Sequence, residues 1–253
     1  MKKIVLAYSG GLDTSYCLKK LSQEKNEVHA VCINTGGFTK TQIKSIKEKA
    51  IKLGAFKFDL IDAVEFYYNN IIKYLIYGNV LRGNTYPLSV SAERTVQAIE
   101  IINYAKKNNA THIAHGSTGA GNDQVRFDML FQIIAPEIEI ITPIRDNSLT
   151  REDETKFLQD HGVNIEWEKA KYSINKGLWG TSVGGDETLT SNKKLPNNAF
   201  PSQLKSNQSE ELILSFKNGE ISGFNGKNYD PVTSIELISE KCNNYCIGRD
   251  IHV

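Results

Sequence analysis

The segment Ile4–Cys17 reads IVLAYSGGLDTSYC and joins two predicted elements through a glycine-rich corner. Its apolar run, Ile4–Tyr8, predicts a buried strand of a parallel sheet. The spacing of Cys17, Leu18 and Leu21 predicts a helix over Thr14–Gln23. Between them, Ser9-Gly10-Gly11 would meet the unpaired N–H groups and the positive dipole end of that helix. Because glycines let the backbone approach a ligand closely, this corner predicts a phosphate-binding site.

Strand and helix patterns then alternate through the first two thirds of the chain. The further predicted strands are Val28–Ile33, Phe56–Ile61, Thr111–Ala114 and Ile138–Ile141. The further predicted helices are Thr39–Leu53, Ala63–Ile76, Ser89–Lys107, Asp123–Ile134 and one that runs from the Thr150/Asp153 capping box to near Gly162. This alternation predicts an α/β fold with a doubly wound parallel sheet. Such sheets bind ligands beyond the carboxyl ends of their strands, so Ser9–Asp13 and the loop after Ala114 are expected to share one crevice.

The composition changes after about residue 166. Tyr172–Gln208 is rich in Gly, Ser, Asn and Thr and shows weak periodicity. Asn218-Gly219 predicts a hairpin between Leu212–Phe216 and Ile221–Phe224, and Pro231 opens a last predicted helix towards Cys242. We therefore predict a nucleotide-binding domain over residues 1–166 and the incomplete beginning of an α+β domain over 167–253.

Composition excludes some classes of protein. Hydrophobic residues make up 40% of the 253, so a sizeable core is expected. Residues 1–57 hold eleven lysines against four acidic residues; this is either a solvated surface or a basic rim that attracts a polyanion. The four cysteines form no C-x-x-C pair, which argues against a structural zinc site. Free cysteines without an export signal or an apolar membrane-length run predict a cytoplasmic protein.

Two widespread phosphate-binding patterns, G-x-x-x-x-G-K-[ST] and G-x-G-x-x-G, are absent from the opening corner. Ser9-Gly10-Gly11-Leu12-Asp13-Thr14 instead resembles the SGG-x-D-[ST] loop of the ATP pyrophosphatases. The resemblance implies a Rossmann-like fold and cleavage of ATP between its α and β phosphates. That loop occurs in several kinds of synthetase and in tRNA sulfur-transfer enzymes, so it leaves the substrates open.

A second motif indicates which kind of ATP pyrophosphatase the chain resembles. Residues 115–127 read HGSTGAGNDQVRF, in which Arg126 suits a carboxylate and Asp123 an ammonium group. The stretch resembles the HG-x-TG-x-GNDQVRF motif of argininosuccinate synthase. Ala120 stands where many members have Lys.

Two shorter segments resemble the same family. Tyr86 and Ser91 match its Y-x-x-x-x-S segment in type and spacing, although the residues around them differ from the usual LGTSLARP. The segment 172–182, YSINKGLWGTS, is similar to YS-x-D-x-NLW-x-x-S, with Asn175 in place of the common Asp and Gly177 in place of the common Asn. The resemblance thus runs over the whole chain in the family's order.

The family resemblance implies a ligation that uses ATP, with Mg²⁺, to join citrulline and aspartate through a citrullyl-AMP intermediate. Positioning by Asp13, Asp123 and Arg126 would replace a protein nucleophile or base, and no protein side chain is assigned to the metal. The implied ATP-binding residues are Ala7, Tyr8, Ser9, Gly10, Gly11, Leu12, Asp13, Thr14, Ser15, Ile33 and Gly116. The implied substrate-binding residues are Tyr86, Ser91, Thr118, Asn122, Asp123, Arg126, Ser173 and Ser182. His115 is interpreted as a structural residue at a strand end.

Family members continue well beyond residue 253 and form homotetramers, so this chain is expected to be a fragment that binds ATP but turns over poorly. No nucleic-acid or membrane partner is expected. Two alternatives stay open: another ATP pyrophosphatase such as a tRNA sulfur-transfer enzyme, and a nucleotide sensor without catalytic activity.

Overall fold

A computed structural model of the chain describes residues 1–119, 121–163 and 172–251. The chain divides into two compact units, one formed by Met1–Ala63 and Glu93–Lys169 and the other by Val64–Ala92 and Ala170–Val253. The predicted domain boundary at residues 166 and 167 lies outside the described residues. Within those described ranges, no helix is both long and apolar enough to cross a membrane.

The first unit contains the predicted parallel sheet. Its strands are β1 (Lys3–Ala7), β2 (Glu27–Asn34), β3 (Lys57–Asp62), β4 (His112–Ala114) and β5 (Glu139–Ile141). They lie in the order β3-β2-β1-β4-β5 and all pair in parallel, which confirms the predicted fold class. The chain order reverses between β1 and β4, the neighbouring strands that carry the two glycine-rich loops. A parallel sheet offers a crevice for a ligand at such a switch point.

Helices connect and cover these strands. They are α1 (Leu12–Gln23), α2 (Lys40–Lys52), α5 (Ser89–Lys107), α6 (Asp123–Ile134), α7 (Pro143–Asp146) and α8 (Arg151–Asp160). Leu6 on β1, Leu18 on α1 and Leu158 on α8 are fully buried in one core. The ring of Tyr16 packs edge-on against Phe157 at 4.9 Å, so α1 and α8 lie together on one face of the sheet.

Both ends of α8 follow the predicted signals, and α2 begins with a capping box that was not predicted. Thr39 and Gln42 form a capping box before α2, and Thr150 and Asp153 form one before α8. Gly162 has a φ of +73°, as expected after the end of α8. Helix α1 begins two residues earlier than predicted, at Leu12, because that side chain is buried in the core.

The second unit begins with a helical segment that departs from the prediction. Helices α3 (Val64–Tyr67) and α4 (Lys73–Tyr77) flank a π-helical turn, Tyr68–Ile72, where the sequence predicts one regular helix. Tyr67 and Tyr68 are adjacent in sequence and both are buried. The π-helical turn is a single widened turn within the predicted helix.

Two hairpins and a helix complete the second unit. The strands are β6 (Ser173–Gly177), β7 (Gly180–Gly184), β8 (Leu214–Lys217), β9 (Glu220–Phe224) and β10 (Lys227–Asn228), followed by α9 (Pro231–Asn243). Asn218 and Gly219 have φ values of 53° and 85° between β8 and β9, which confirms the predicted hairpin turn. The β6–β7 hairpin was not predicted, because its strands are rich in Ser, Asn and Gly and its turn lacks an Asn-Gly pair.

Candidate functional site

The loop after β1 is held in an open shape by weak contacts. Gly10 has a φ of +78°, and Gly11 is the N-cap of α1 without a side-chain cap of its own. The Ser9 hydroxyl lies 3.3 Å from the Thr14 hydroxyl and accepts a hydrogen bond from the Gly11 N–H at 3.4 Å. These bonds are longer than the usual 2.7–3.0 Å. The loop's donors are therefore loosely held and can be transferred to a stronger acceptor.

The second glycine-rich loop closes on the beginning of α1. A Cβ atom at Gly116 would lie 3.1 Å from the backbone carbon of Asp13 and 3.2 Å from the Thr14 nitrogen. The first-turn N–H groups of α1 have no acceptor within the helix, and Gly11 provides no side-chain cap for them. The two predicted loops thus form one cradle, and a side chain at position 116 would fill it.

A buried carboxyl group adjoins the cradle. Glu154 on α8 is 1% exposed, and its Oε2 atom has no hydrogen-bond partner among the described residues. Burial, the charge of Asp13 and a hydrogen bond with Asp13 raise the pKa of Glu154 to about 8. Burial also raises the pKa of Asp13, against the opposing influence of the Arg151 charge and of the Glu154 hydrogen bond. With a pKa of about 8, the buried Glu154 favours its protonated form at neutral pH.

The loop after β4 is anchored through His115, which is 1% exposed. Its Nδ1 accepts a hydrogen bond from the Ser117 N–H at 3.2 Å, and its Nε2–H donates to Asp128 at 2.9 Å. Arg145 donates to the other Asp128 oxygen at 2.6 Å. Although burial acts to raise it, these two donors hold the pKa of Asp128 below its ordinary value. Both ring nitrogens of His115 are engaged, as its structural interpretation requires.

A chain of charges lines the start of α6. Asp123 accepts hydrogen bonds from Arg126 at 2.6 Å and from Arg94 Nε at 2.9 Å. Glu93, beside Arg94, is buried and accepts a 2.8 Å hydrogen bond from Thr35, which follows β2. Asp123 and Arg126 were predicted to bind an ammonium and a carboxylate group. Here they bind each other, so a substrate carboxylate at Arg126 would displace Asp123, whose charge Arg94 would still balance.

The other predicted residues of the first unit differ in exposure. The side chains of Tyr8, Leu12, Ser15 and Ile33 are buried, so these residues present mainly backbone atoms at the crevice. The Ser15 hydroxyl has no hydrogen-bond partner within the described chain, and its N–H is bonded to Gly11. Ser9, Thr118 and Asn122 are exposed, and Ala7 and Thr14 are half-buried. Ala120 lies outside the described residues.

The second unit contains four of the predicted substrate-binding residues: Tyr86, Ser91, Ser173 and Ser182. Tyr86 accepts hydrogen bonds from the N–H groups of Val90 and Ser91 at 3.0 and 3.4 Å, at the start of α5. The β6–β7 hairpin reaches the same segment, where the Trp179 indole N–H donates to the Pro87 carbonyl at 2.9 Å. Ser173 and Ser182 lie on the two strands of that hairpin. The two shorter segments, around Tyr86 and around Trp179, therefore contact each other within the second unit.

Sequence reasoning missed three charged residues near the cradle: Lys49, Arg94 and Glu154. A signal existed for Glu154, which lies four residues before the buried Leu158 and so on the apolar face of its helix. Arg94 and Lys49 gave no comparable signal, because an exposed and a ligand-facing cation look alike in a sequence.

The parallel sheet, the glycine corner at its switch point and the cradle define a nucleotide-binding α/β protein of the HUP class. Residues 3–164 match the family model described as "Arginosuccinate synthase N-terminal HUP domain". The chain belongs to the argininosuccinate synthase family.

The chain is similar to curated relatives in sequence and to a solved structure in fold. The chain is 38% identical over 253 residues to the argininosuccinate synthase of Sulfurisphaera tokodaii, covering 99% of this chain and 64% of that protein. It is 38% identical over 249 residues to that of Methanocaldococcus jannaschii, covering 97% and 62%. The NH3-dependent NAD synthetase from Campylobacter jejuni aligns with a TM-score of 0.47 and 15% identity, over 68% of this chain and 69% of that one. The chain thus spans less than two thirds of the length of these curated relatives.

Proposed function

We propose that the chain carries the ATP- and citrulline-binding parts of an argininosuccinate synthase. In this reaction the ureido oxygen of citrulline attacks the α-phosphorus of ATP and the bond to the β-phosphate oxygen breaks, which releases pyrophosphate. The aspartate amine then attacks the ureido carbon of citrullyl-AMP, loses a proton and expels AMP. The products are argininosuccinate, AMP and pyrophosphate.

The observation that carries this proposal is the approach of Gly116 to the first turn of α1. It joins the loop that suits a pyrophosphate group to the segment 115–127, which bears Asp123 and Arg126. The cradle supplies the N–H donors and the positive end of a helix N-terminus, the features that stabilise phosphate oxygens. The proposal assigns no protein nucleophile, so the rate enhancement would come from orientation and fixed dipoles.

Magnesium enters the proposal through the nucleotide. Among residues 1–119, 121–163 and 172–251, no group of three or more His, Cys, Asp or Glu side chains converges as a metal site. Asp13 is a carboxyl group at the cradle, beside the buried Glu154 whose pKa is raised. Bound Mg²⁺ would neutralise the charge of the triphosphate, and Asp13 would be the residue of the cradle able to hold it.

The proposal includes a cellular compartment and an oligomeric state. Cys17, Cys32, Cys242 and Cys246 are all free, which suits the reducing cytoplasm. The full-length protein is proposed to be a homotetramer.

Binding measurements on this chain test the proposal directly. Calorimetry should show ATP binding, and citrulline should bind more tightly in the presence of an ATP analogue with a methylene group between the α and β phosphates. Arg126→Met should lose citrulline binding and keep ATP binding. Arg82→Met, which alters an exposed arginine, serves as the matched control.

Three results would contradict the proposal. ATP binding without any citrulline binding would favour a nucleotide sensor. Pyrophosphate release that depends on tRNA would favour sulfur transfer. Failure to bind ATP would exclude all three functions. Citrulline-dependent pyrophosphate release, even at a low rate, would support the ligase.

A further inference from the structure

One cation reaches the back of the β1–α1 loop from a different helix. The ammonium group of Lys49, in the last turn of α2, donates a hydrogen bond to the Gly10 carbonyl at 2.8 Å. This bond is much shorter than the 3.3–3.4 Å bonds that the loop's own hydroxyl and N–H groups make. It is therefore the strongest single restraint on the loop after β1 among these contacts.

The same face of α2 also fixes the α-carbon of Gly10. Ile46 lies one turn before Lys49, and a Cβ atom at Gly10 would come within 3.0 Å of its Cγ1 atom. Gly10 has a φ of +78°, a conformation that glycine adopts without strain. Ile46 and Lys49 together hold one peptide unit by its α-carbon and by its carbonyl oxygen.

The orientation of that peptide decides where the next N–H points. In a trans peptide the carbonyl oxygen and the following N–H point in opposite directions. Fixing the Gly10 carbonyl towards α2 turns the Gly11 N–H away from α2 and towards the Ser9 hydroxyl, which it reaches at only 3.4 Å. The N–H is thus directed and weakly bonded, as a donor awaiting a better acceptor would be.

We propose that Lys49 is a positioning residue of the phosphate-binding loop: its ammonium group holds the Gly10 carbonyl and so aims the Gly11 N–H at an anionic ligand. The inference deepens the proposed function and rests on it, because the anion concerned is the pyrophosphate end of ATP. The loop has no lysine of its own, so the cation that restrains its backbone comes from α2. Burial of the Lys49 side chain lowers the pKa of its ammonium group.

Substitution of Lys49 separates this role from general stability. Lys49→Met should weaken binding of ATP and of inorganic pyrophosphate about tenfold, the scale of one charge-assisted hydrogen bond. Adenosine affinity should stay unchanged, because the nucleoside does not need the loop. Lys49→Arg keeps a cationic donor and should recover most of the loss. Lys52→Met removes an exposed lysine one turn later on α2 and should have no effect.

The binding results separate a failure of the Lys49 role from a failure of the proposed function. If the unaltered chain binds neither ATP nor pyrophosphate, the proposed function fails. If it binds both and Lys49→Met binds them equally well, the role of Lys49 is refuted. An equal loss for adenosine would also refute it, since that pattern indicates general destabilisation. Should Lys49→Met not fold, Lys49→Ala, which also removes the donor to the Gly10 carbonyl, provides the same comparison.

Discussion

The buried carboxyl group of Glu154 makes a prediction about pH and stability. Its pKa is raised from 4.5 to about 8 in the folded chain, so the folded state holds this proton more tightly than the unfolded state. Stability must therefore fall as the pH rises from 4.5 towards 8. For these two pKa values, the linkage relation gives a loss of about 3 kcal/mol between pH 5 and pH 7.5.

Glu154→Gln removes the titration and retains the shape and a hydrogen-bond donor towards Asp13. The variant should therefore gain about 3 kcal/mol relative to the unaltered chain between pH 5 and pH 7.5. Urea unfolding followed by circular dichroism at several pH values measures this difference. Glu152→Gln, an exposed residue on the same helix, is the matched control and should show no such trend. A Glu154→Gln difference that stays constant with pH would refute the raised pKa of Glu154.

Three further substitutions have defined outcomes. Gly116→Ala places a methyl group 3.1 Å from the backbone of Asp13, so ATP affinity measured by calorimetry should fall at least about tenfold, and unchanged affinity would contradict the cradle. Gly219→Ala, at a φ of +85° in the β8–β9 turn, should lower the free energy of unfolding by about 1–2 kcal/mol in thermal melts. Thr150→Ala removes the cap of α8 and should cost about 1 kcal/mol, whereas Thr150→Ser should cost little.

Much of the first unit could be predicted from sequence because its signals are local. Buried parallel strands form continuous apolar runs, and capping boxes such as Thr150/Asp153 mark helix starts within four residues. The Ser9-Gly10-Gly11 corner could be placed between a strand and a helix for the same reason, because these elements follow one another directly in the chain. The approach of Gly116 to α1 then follows from sheet order, since loops at neighbouring strand ends converge.

The unpredicted features depend on long-range contacts. The β6–β7 hairpin has weak strand propensity and packs through the indole of Trp179 against Pro87, which lies 92 positions earlier in the sequence. The mutual pairing of Asp123 with Arg126 and Arg94 depends on how α5 and α6 approach. Lys49 is one of eleven lysines in the first 57 residues, and only the fold distinguishes it from the exposed ones.

The hydroxyl group of Tyr86 has a consequence for mutagenesis. Because it accepts the first N–H groups of α5, at Val90 and Ser91, it acts as a helix cap contributed by a side chain outside the helix. Tyr86→Phe would therefore fray the helix start as well as remove a contact to any ligand. A loss of citrulline affinity in that variant would overstate the direct contribution of Tyr86, unless the helix content of α5 is measured alongside it.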